Sequence, residues 1–211
     1  MRLIQVLLVI LFLGAPLGWS APAAAADMAP RLLVLGDSLT AGYGLKAEES
    51  FPAKLQAALR KRGIEIDVVD SGVSGDTTAG GRARLGWAMA EPPRWVIVEL
   101  GANDGLRGIP PKETEANLDA ILIELRRRRI SVLLAGMLAP PNLGREYGQA
   151  FNAVFPRLAK VHNAALYPFF LDGVAGQRAL NQDDGIHPNA KGVDVIVERI
   201  LPHVLKLIGR G

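Results

Sequence analysis

A serine hydroxyl performs nucleophilic chemistry only when a base within hydrogen-bond reach removes its proton, and histidine is the side chain best suited to that task near neutral pH. Ser38 is a candidate for such a role. It follows the apolar run Leu32 to Leu35 after only Gly36 and Asp37, so it sits where a buried strand breaks into a polar turn. The chain offers three histidines. His162 and His203 fall in or beside amphipathic helical patterns and read as surface or boundary residues. His187 differs, because Pro188 fixes the backbone beside it and Asp184 stands three positions earlier. A carboxylate at that spacing can hold one ring nitrogen, select the tautomer and stabilise the imidazolium, leaving the other nitrogen to face a hydroxyl.

Acyl transfer also needs donors aimed at the oxyanion that develops in the tetrahedral intermediate. Three are available in loops that could share one rim: the backbone N–H of Ser38, the N–H of Gly75 and the side-chain amide of Asn103. Glycine at 75 lets the backbone approach a bound carbonyl closely, and an amide donates without carrying charge.

These residues need elements to position them. Five apolar runs stand out, at Leu32 to Leu35, Ile64 to Val69, Trp95 to Leu100, Ile130 to Met137 and Ala165 to Phe170. Helical periodicity occupies Glu49 to Arg62, Pro111 to Arg128, Tyr147 to Val161 and Val193 to Ile208. Runs without clean alternation suit strands covered on both faces, so the pattern predicts an α/β three-layer sandwich around a mostly parallel sheet. In such sheets ligands sit beyond the carboxyl ends of the strands. Gly36-Asp37-Ser38-Leu39, Ser71 to Asp76, Gly101 to Asp104 and Asp183 to Pro188 are all loops of that kind.

Those four blocks, in that order, resemble the SGNH or GDSL hydrolase superfamily. "ELGANDGLRG" and "QDDGIHPNAKG" are similar to the bacterial exported arylesterases and the multifunctional thioesterase I / lysophospholipase L1 group. The resemblance covers nearly all of the chain beyond the leader. It implies a flavodoxin-like five-stranded sheet of order 2-1-3-4-5 and hydrolysis of aryl or acyl esters, lysophospholipids or thioesters through an acyl-enzyme. It assigns Ser38 as nucleophile, His187 as base and later acid, Asp184 as its orienting partner, and Ser38, Gly75 and Asn103 as the oxyanion hole. It also implies an acyl site walled by the loops carrying Leu106, Ile109 and Pro110 on one side and Leu138 and Pro140 on the other. No metal or cofactor is implied. Asp70-Ser71 departs from the family habit of Asn followed by a small residue and touches the loop that bears Gly75.

Arg2, the apolar run Leu3 to Leu13 and Ala24-Ala25-Ala26 read as a signal peptide over residues 1–26, cleaved near Ala26, with the hydrolase domain at 27–211. The apolar run is shorter than the ~20 residues that span a bilayer. Export to the periplasm or the medium is therefore expected, with no stable membrane anchor after cleavage. The chain contains no cysteine, so neither disulfides nor thiolate metal sites contribute. The net charge of +3 is too small to argue for nucleic acid. The basic block Arg126 to Arg129 reads as a solvated helix end, with a polyanion or membrane-surface patch as its alternative. We expect a monomer acting on a small ester or lipid.

Competing patterns are weaker. Gly42 to Ala47 fits G-x-G-x-x-A but starts several residues past its strand, whereas the dinucleotide motif turns directly from strand to helix. Ser74 fails the nucleophile-elbow pattern because Asp76 replaces the closing glycine. Asp183, Asp184 and His187 could hold a metal, but no further His or Cys lies near them in sequence. A lipid- or glycan-binding module on the same fold is the remaining non-catalytic alternative.

Overall fold

A computed structural model describes residues 29–211, so the signal peptide expected over residues 1–26, with its cleavage near Ala26, lies outside the described residues. Five strands, β1 (Arg31–Gly36), β2 (Asp67–Gly72), β3 (Trp95–Glu99), β4 (Ser131–Ala135) and β5 (Ala165–Tyr167), pair in the order β2-β1-β3-β4-β5. Every pairing is parallel, which sharpens the expectation of a mostly parallel sheet.

The strands are apolar because helices cover both faces. Leu32, Val34 and Leu35 of β1 and Val96, Ile97 and Val98 of β3 are completely buried. One face carries α2 (Phe51–Arg60) and α8 (Ala190–Leu207); the other carries α3 (Thr78–Ala88), α5 (Pro111–Arg127) and α7 (Val154–His162). Pro111 opens α5, where a missing N–H costs nothing. Asn189 caps α8 by accepting from the Gly192 N–H.

Several elements differ from the sequence reading; the fifth strand, for one, stops at Tyr167 and not at Phe170. The second strand is Asp67–Gly72 rather than the apolar run from Ile64, because β2 is an edge strand whose Asp67 and Asp70 reach solvent. The pattern from Tyr147 to Val161 is two helices, α6 (Arg145–Asn152) and α7, broken at Ala153. Pro156 explains the break: it has no N–H to continue a ladder from α6. Between β2 and β3 the sequence reading had no helix, and the structure has α3.

Glycines at the strand ends let the chain fold back tightly over the sheet. A side-chain carbon on Gly72 would fall 2.6 Å from the Ala41 nitrogen, and one on Gly36 would fall 2.2 Å from Thr40 Oγ1. The short helix α1 (Ser38–Ala41) therefore rests directly on the carboxyl ends of β1 and β2. Among the described residues no helix is long and apolar enough to cross a membrane.

Candidate active site

Ser38 is the first residue of α1, and Asp37 is its cap, accepting from the Leu39 N–H at 2.9 Å. This places the Ser38 side chain at the carboxyl edge of β1 and leaves its backbone N–H without an acceptor among the described residues. The α1 helix ends after one turn because Gly42 takes a left-handed conformation, φ 75°, and returns its N–H to the Ser38 carbonyl. Gly42 thus closes a helix, and it does not open the one a dinucleotide fingerprint requires.

His187 arrives from the loop before α8. Its Nε2 lies 2.9 Å from Ser38 Oγ, and its Nδ1 lies 2.6 Å from Asp184 Oδ2. The other carboxylate oxygen of Asp184 accepts the backbone N–H groups of Ile186 and His187, at 2.9 and 3.0 Å. One side chain therefore shapes the turn and orients the ring. Those backbone bonds, led by the one from His187, hold the Asp184 carboxyl down at about 2, so it remains an anion. Gln182 fastens this loop to the chain beyond α1: its Nε2 donates to the carbonyls of Tyr43 and Pro188, at 2.7 and 3.0 Å. The Tyr43 ring packs on the His187 ring at 4.6 Å. A hydroxyl, an imidazole and a carboxylate are thus aligned for proton transfer away from Ser38.

Gly75 and Asn103 reach the same rim. Gly75 has φ 85°, and its N–H meets no acceptor among the described residues, while its carbonyl accepts from Arg107 Nη2 at 2.8 Å. Asn103 lies in the short helix α4 (Ala102–Leu106) after β3. Its Nδ2 donates to the Asp76 carbonyl at 2.9 Å and to Asp37 Oδ2 at 3.1 Å. Both amide hydrogens are therefore engaged, and a substrate oxyanion would have to share one of them. The neighbouring Asp104 is buried and accepts from the Thr78 N–H, Thr78 Oγ1 and Thr114 Oγ1, which ties α4 to α3 and α5.

The Asp70-Ser71 departure is absorbed locally. Asp70 Oδ1 accepts from the Gly72 N–H, and Ser71 Oγ accepts from Arg84 Nη1. Arg84 also pairs with Asp76 and donates to the Gly36 carbonyl, so one guanidinium joins the loops bearing Ser38 and Gly75.

A cavity of about 170 Å³ opens beside Ser38 and His187, walled by Leu39, Leu106, Met137, Leu138, Pro140, Leu171 and Ile186. Of the five residues expected to wall an acyl site, Leu106, Leu138 and Pro140 line this cavity. Ile109 and Pro110 do not line it: the Ile109 carbonyl faces Tyr147, whose hydroxyl donates to it at 2.7 Å, and Pro110 leads into α5. Met137, Leu171 and Ile186 were missed, since nothing local in the sequence brings three separate loops to one mouth. A larger concavity of about 740 Å³ opens at the opposite end of β4 and β5, between Arg126, Arg129, Ile130, His162, His203 and Lys206. His162 bonds there to Asp119 and His203 packs on Tyr167, both remote from Ser38. Ser38 and His187 belong to the smaller cavity.

Fold and site together define a hydrolytic enzyme of the acyl-transfer type. The chain belongs to the GDSL-like Lipase/Acylhydrolase family, whose pattern it matches over residues 34–195. It is 41% identical over 181 residues to Esterase TesA of Pseudomonas aeruginosa, covering 85% of this chain and 90% of that one. It is 42% identical over 187 residues to Thioesterase 1/protease 1/lysophospholipase L1 of Escherichia coli K12, covering 88% and 87%. Among solved structures it resembles AlinE4, an SGNH-hydrolase family esterase, with TM-score 0.72 and 49% identity over 84% of this chain and 96% of that one. The protein is a carboxylic ester hydrolase, and the non-catalytic alternative is set aside.

Proposed function

We propose that the protein is an exported esterase that moves the acyl group of a short-chain carboxylic ester first to Ser38 and then to water. The observation that carries this reading is the unbroken relay Ser38 Oγ, His187 Nε2, His187 Nδ1, Asp184 Oδ2, with separations of 2.9 and 2.6 Å.

In the first half-reaction His187 Nε2 takes the hydroxyl proton as Ser38 Oγ bonds to the ester carbonyl carbon. The carbonyl oxygen becomes an oxyanion, met by the N–H groups of Ser38 and Gly75 and by the Asn103 amide. His187 then gives its proton to the departing alcohol oxygen, and the C–O bond breaks to leave the acyl-enzyme. Water repeats the sequence: it loses a proton to His187, adds to the acyl carbon, and Ser38 Oγ leaves with that proton. Asp184 stays ionised throughout and balances the imidazolium.

Cavity size supports a short acyl group. Its roughly 170 Å³ falls below the ~300–1,000 Å³ of ordinary ligand pockets, so a longer chain would run out over the exposed Leu106, Leu138 and Ile186. One relative is an esterase and another a thioesterase and lysophospholipase, which supports lysophospholipids and thioesters as further substrates of the same chemistry. Export is supported by the leader-like residues 1–26 and makes coenzyme A thioesters a poor match for the natural substrate.

The test is a rate series on nitrophenyl esters from two to sixteen carbons, beside a lysophospholipid and a palmitoyl thioester, with Ser38→Ala as control. A maximum at short chains supports the reading, a maximum at long chains replaces it with a lysophospholipase, and unchanged hydrolysis by Ser38→Ala overturns the mechanism.

A further inference from the structure

Beneath the nucleophile turn lies a carboxyl group that the mechanism above does not use. Glu99, the last residue of β3, is completely buried at the centre of the sheet. Its Oε2 accepts the Asp37 N–H at 3.4 Å, and its Oε1 is buried with no hydrogen-bond partner. Asp37 is completely buried as well. Glu99 Oε2 also lies 3.0 Å from where a side-chain carbon on Gly36 would fall, so the Glu99 carboxyl sits directly under the Gly36–Asp37 turn.

Two adjacent buried carboxylates cannot both ionise without a large cost. The donor distribution decides which one stays charged. Asp37 accepts from the Leu39 N–H on Oδ1 and from Asn103 Nδ2 on Oδ2, the arrangement of an anion. Glu99 has one weak donor and an orphaned oxygen, the arrangement of a neutral acid whose proton is the missing partner. Burial and the charge of Asp37 both push the Glu99 carboxyl well above the usual range, and burial lifts Asp37 to about 6, in agreement with that order.

We propose that Glu99 is a positioning residue: as a neutral acid it donates its proton to Asp37 and so fixes the carboxylate that caps α1 under Ser38 and holds the Asn103 amide. This rests on the reading of Ser38 and Asn103 given above, and it extends their support one layer inward. Without that proton, two repelling carboxylates would drive Asp37 off Leu39 and Asn103, and the amide would lose its aim at the oxyanion. Titratable and charged groups on the elements packed around the pair are His187 on its loop, Arg84 of α3, paired with Asp76, and Asp104 of α4.

Glu99→Gln and Glu99→Leu test this in the full chain, beside Ser38→Ala. Gln keeps a neutral donor and an acceptor of similar shape, whereas Leu removes both. The expected result is kcat within about twofold of wild type for Gln, and a fall of about 10- to 100-fold for Leu with KM changed far less. A second readout is thermal midpoint against pH. A raised folded-state pKa means that the contribution of Glu99 is fully present below about 4.5 and is lost as pH rises toward the folded value. The wild-type midpoint should therefore fall relative to Glu99→Gln as pH rises above about 4.5. Wild-type kcat in Glu99→Leu, damage in Glu99→Gln equal to that in Glu99→Leu, or parallel midpoint curves would each overturn the proposal. If Glu99→Leu does not fold, the Gln variant decides alone through its kcat and its curve. Activity surviving in Ser38→Ala would instead defeat the underlying mechanism, whatever Glu99 does.

Discussion

His187 Nε2 and Ser38 Oγ meet at 2.9 Å although 149 positions separate them in the chain. The contact is made by two independent constraints, the α1 turn seated on Gly36 and Gly72, and the Asp184 turn stapled to Tyr43 by Gln182. In the proposed mechanism, replacing either partner removes the nucleophile or the proton acceptor. Ser38→Ala and His187→Ala should each lower kcat on nitrophenyl acetate by at least ~10⁴-fold, with the double variant little worse than either, because the residues act as a unit. Steady-state rates of the three variants check this, and additive losses would refute it.

Asp184 gives a separate handle. Asp184→Asn keeps the shape of the turn but leaves the His187 Nδ1 side without an anion, so kcat should fall about 10²- to 10⁴-fold. The sign of the pH effect follows from a depressed pKa: the carboxylate stabilises the fold fully above about 3.8, and that contribution disappears as pH falls through about 2. The difference in thermal midpoint between wild type and Asp184→Asn should be flat above about pH 5 and shrink below about pH 4. Thermal melts across that range read it directly.

Asn103 is expected to contribute less than a donor with a free hydrogen, because its amide already serves Asp76 and Asp37. Asn103→Ala should lower kcat by about 10²-fold, the low end for an oxyanion donor, with KM nearly unchanged. A change confined to KM would show that Asn103 binds substrate without stabilising the oxyanion.

Gly72→Ala tests the seating of α1. The added carbon would meet backbone at 2.6 Å, which no side-chain rotation can relieve. Urea unfolding should show a loss of about 1–3 kcal/mol, as for other overpacked sites, accompanied by reduced kcat because Ser38 rides on the displaced turn. Unchanged stability would mean that α1 is not held by that contact.

Leu138 tests the acyl path. Leu138→Ala should leave acetate hydrolysis unaltered and lower kcat/KM on an eight-carbon ester by about 5- to 20-fold, since the lost methylenes serve only chains that leave the inner cavity. Equal losses on both esters would remove Leu138 from the specificity path.

How far the molecule could be read in advance depends on whether its information is local. Leu32 to Leu35 and Trp95 to Leu100 announce central strands because burial on both faces demands unbroken apolar residues. Asp184 and His187 are legible for a similar reason, since one carboxylate builds the turn that carries the ring. Helix α3 was missed because Gly80, Gly81 and Gly86 weaken its periodicity, although Thr77 marks its start by accepting from the Gly80 N–H. The Asp37–Glu99 relation was invisible, for Glu99 reads as the end of an apolar run and its partner lies 62 positions away. Ile109 and Pro110 were assigned to the cavity by their loop, yet Tyr147 turns that stretch toward α6.

All five strands run the same way, from a margin holding Arg31 to a margin holding Ser38. The six residues of β1 set those margins about 20 Å apart. Lys206 and Leu207, near the carboxyl terminus, share a concavity with Ser131 and Ala165 at the strand beginnings. The start of β1 at Arg31 and the end of α8 at Leu207 therefore both lie on the side facing away from the catalytic mouth. A bead, a display scaffold or a fusion partner attached beyond α8 would present the mouth outward, so immobilised enzyme should keep its access to bulky or surface-bound esters.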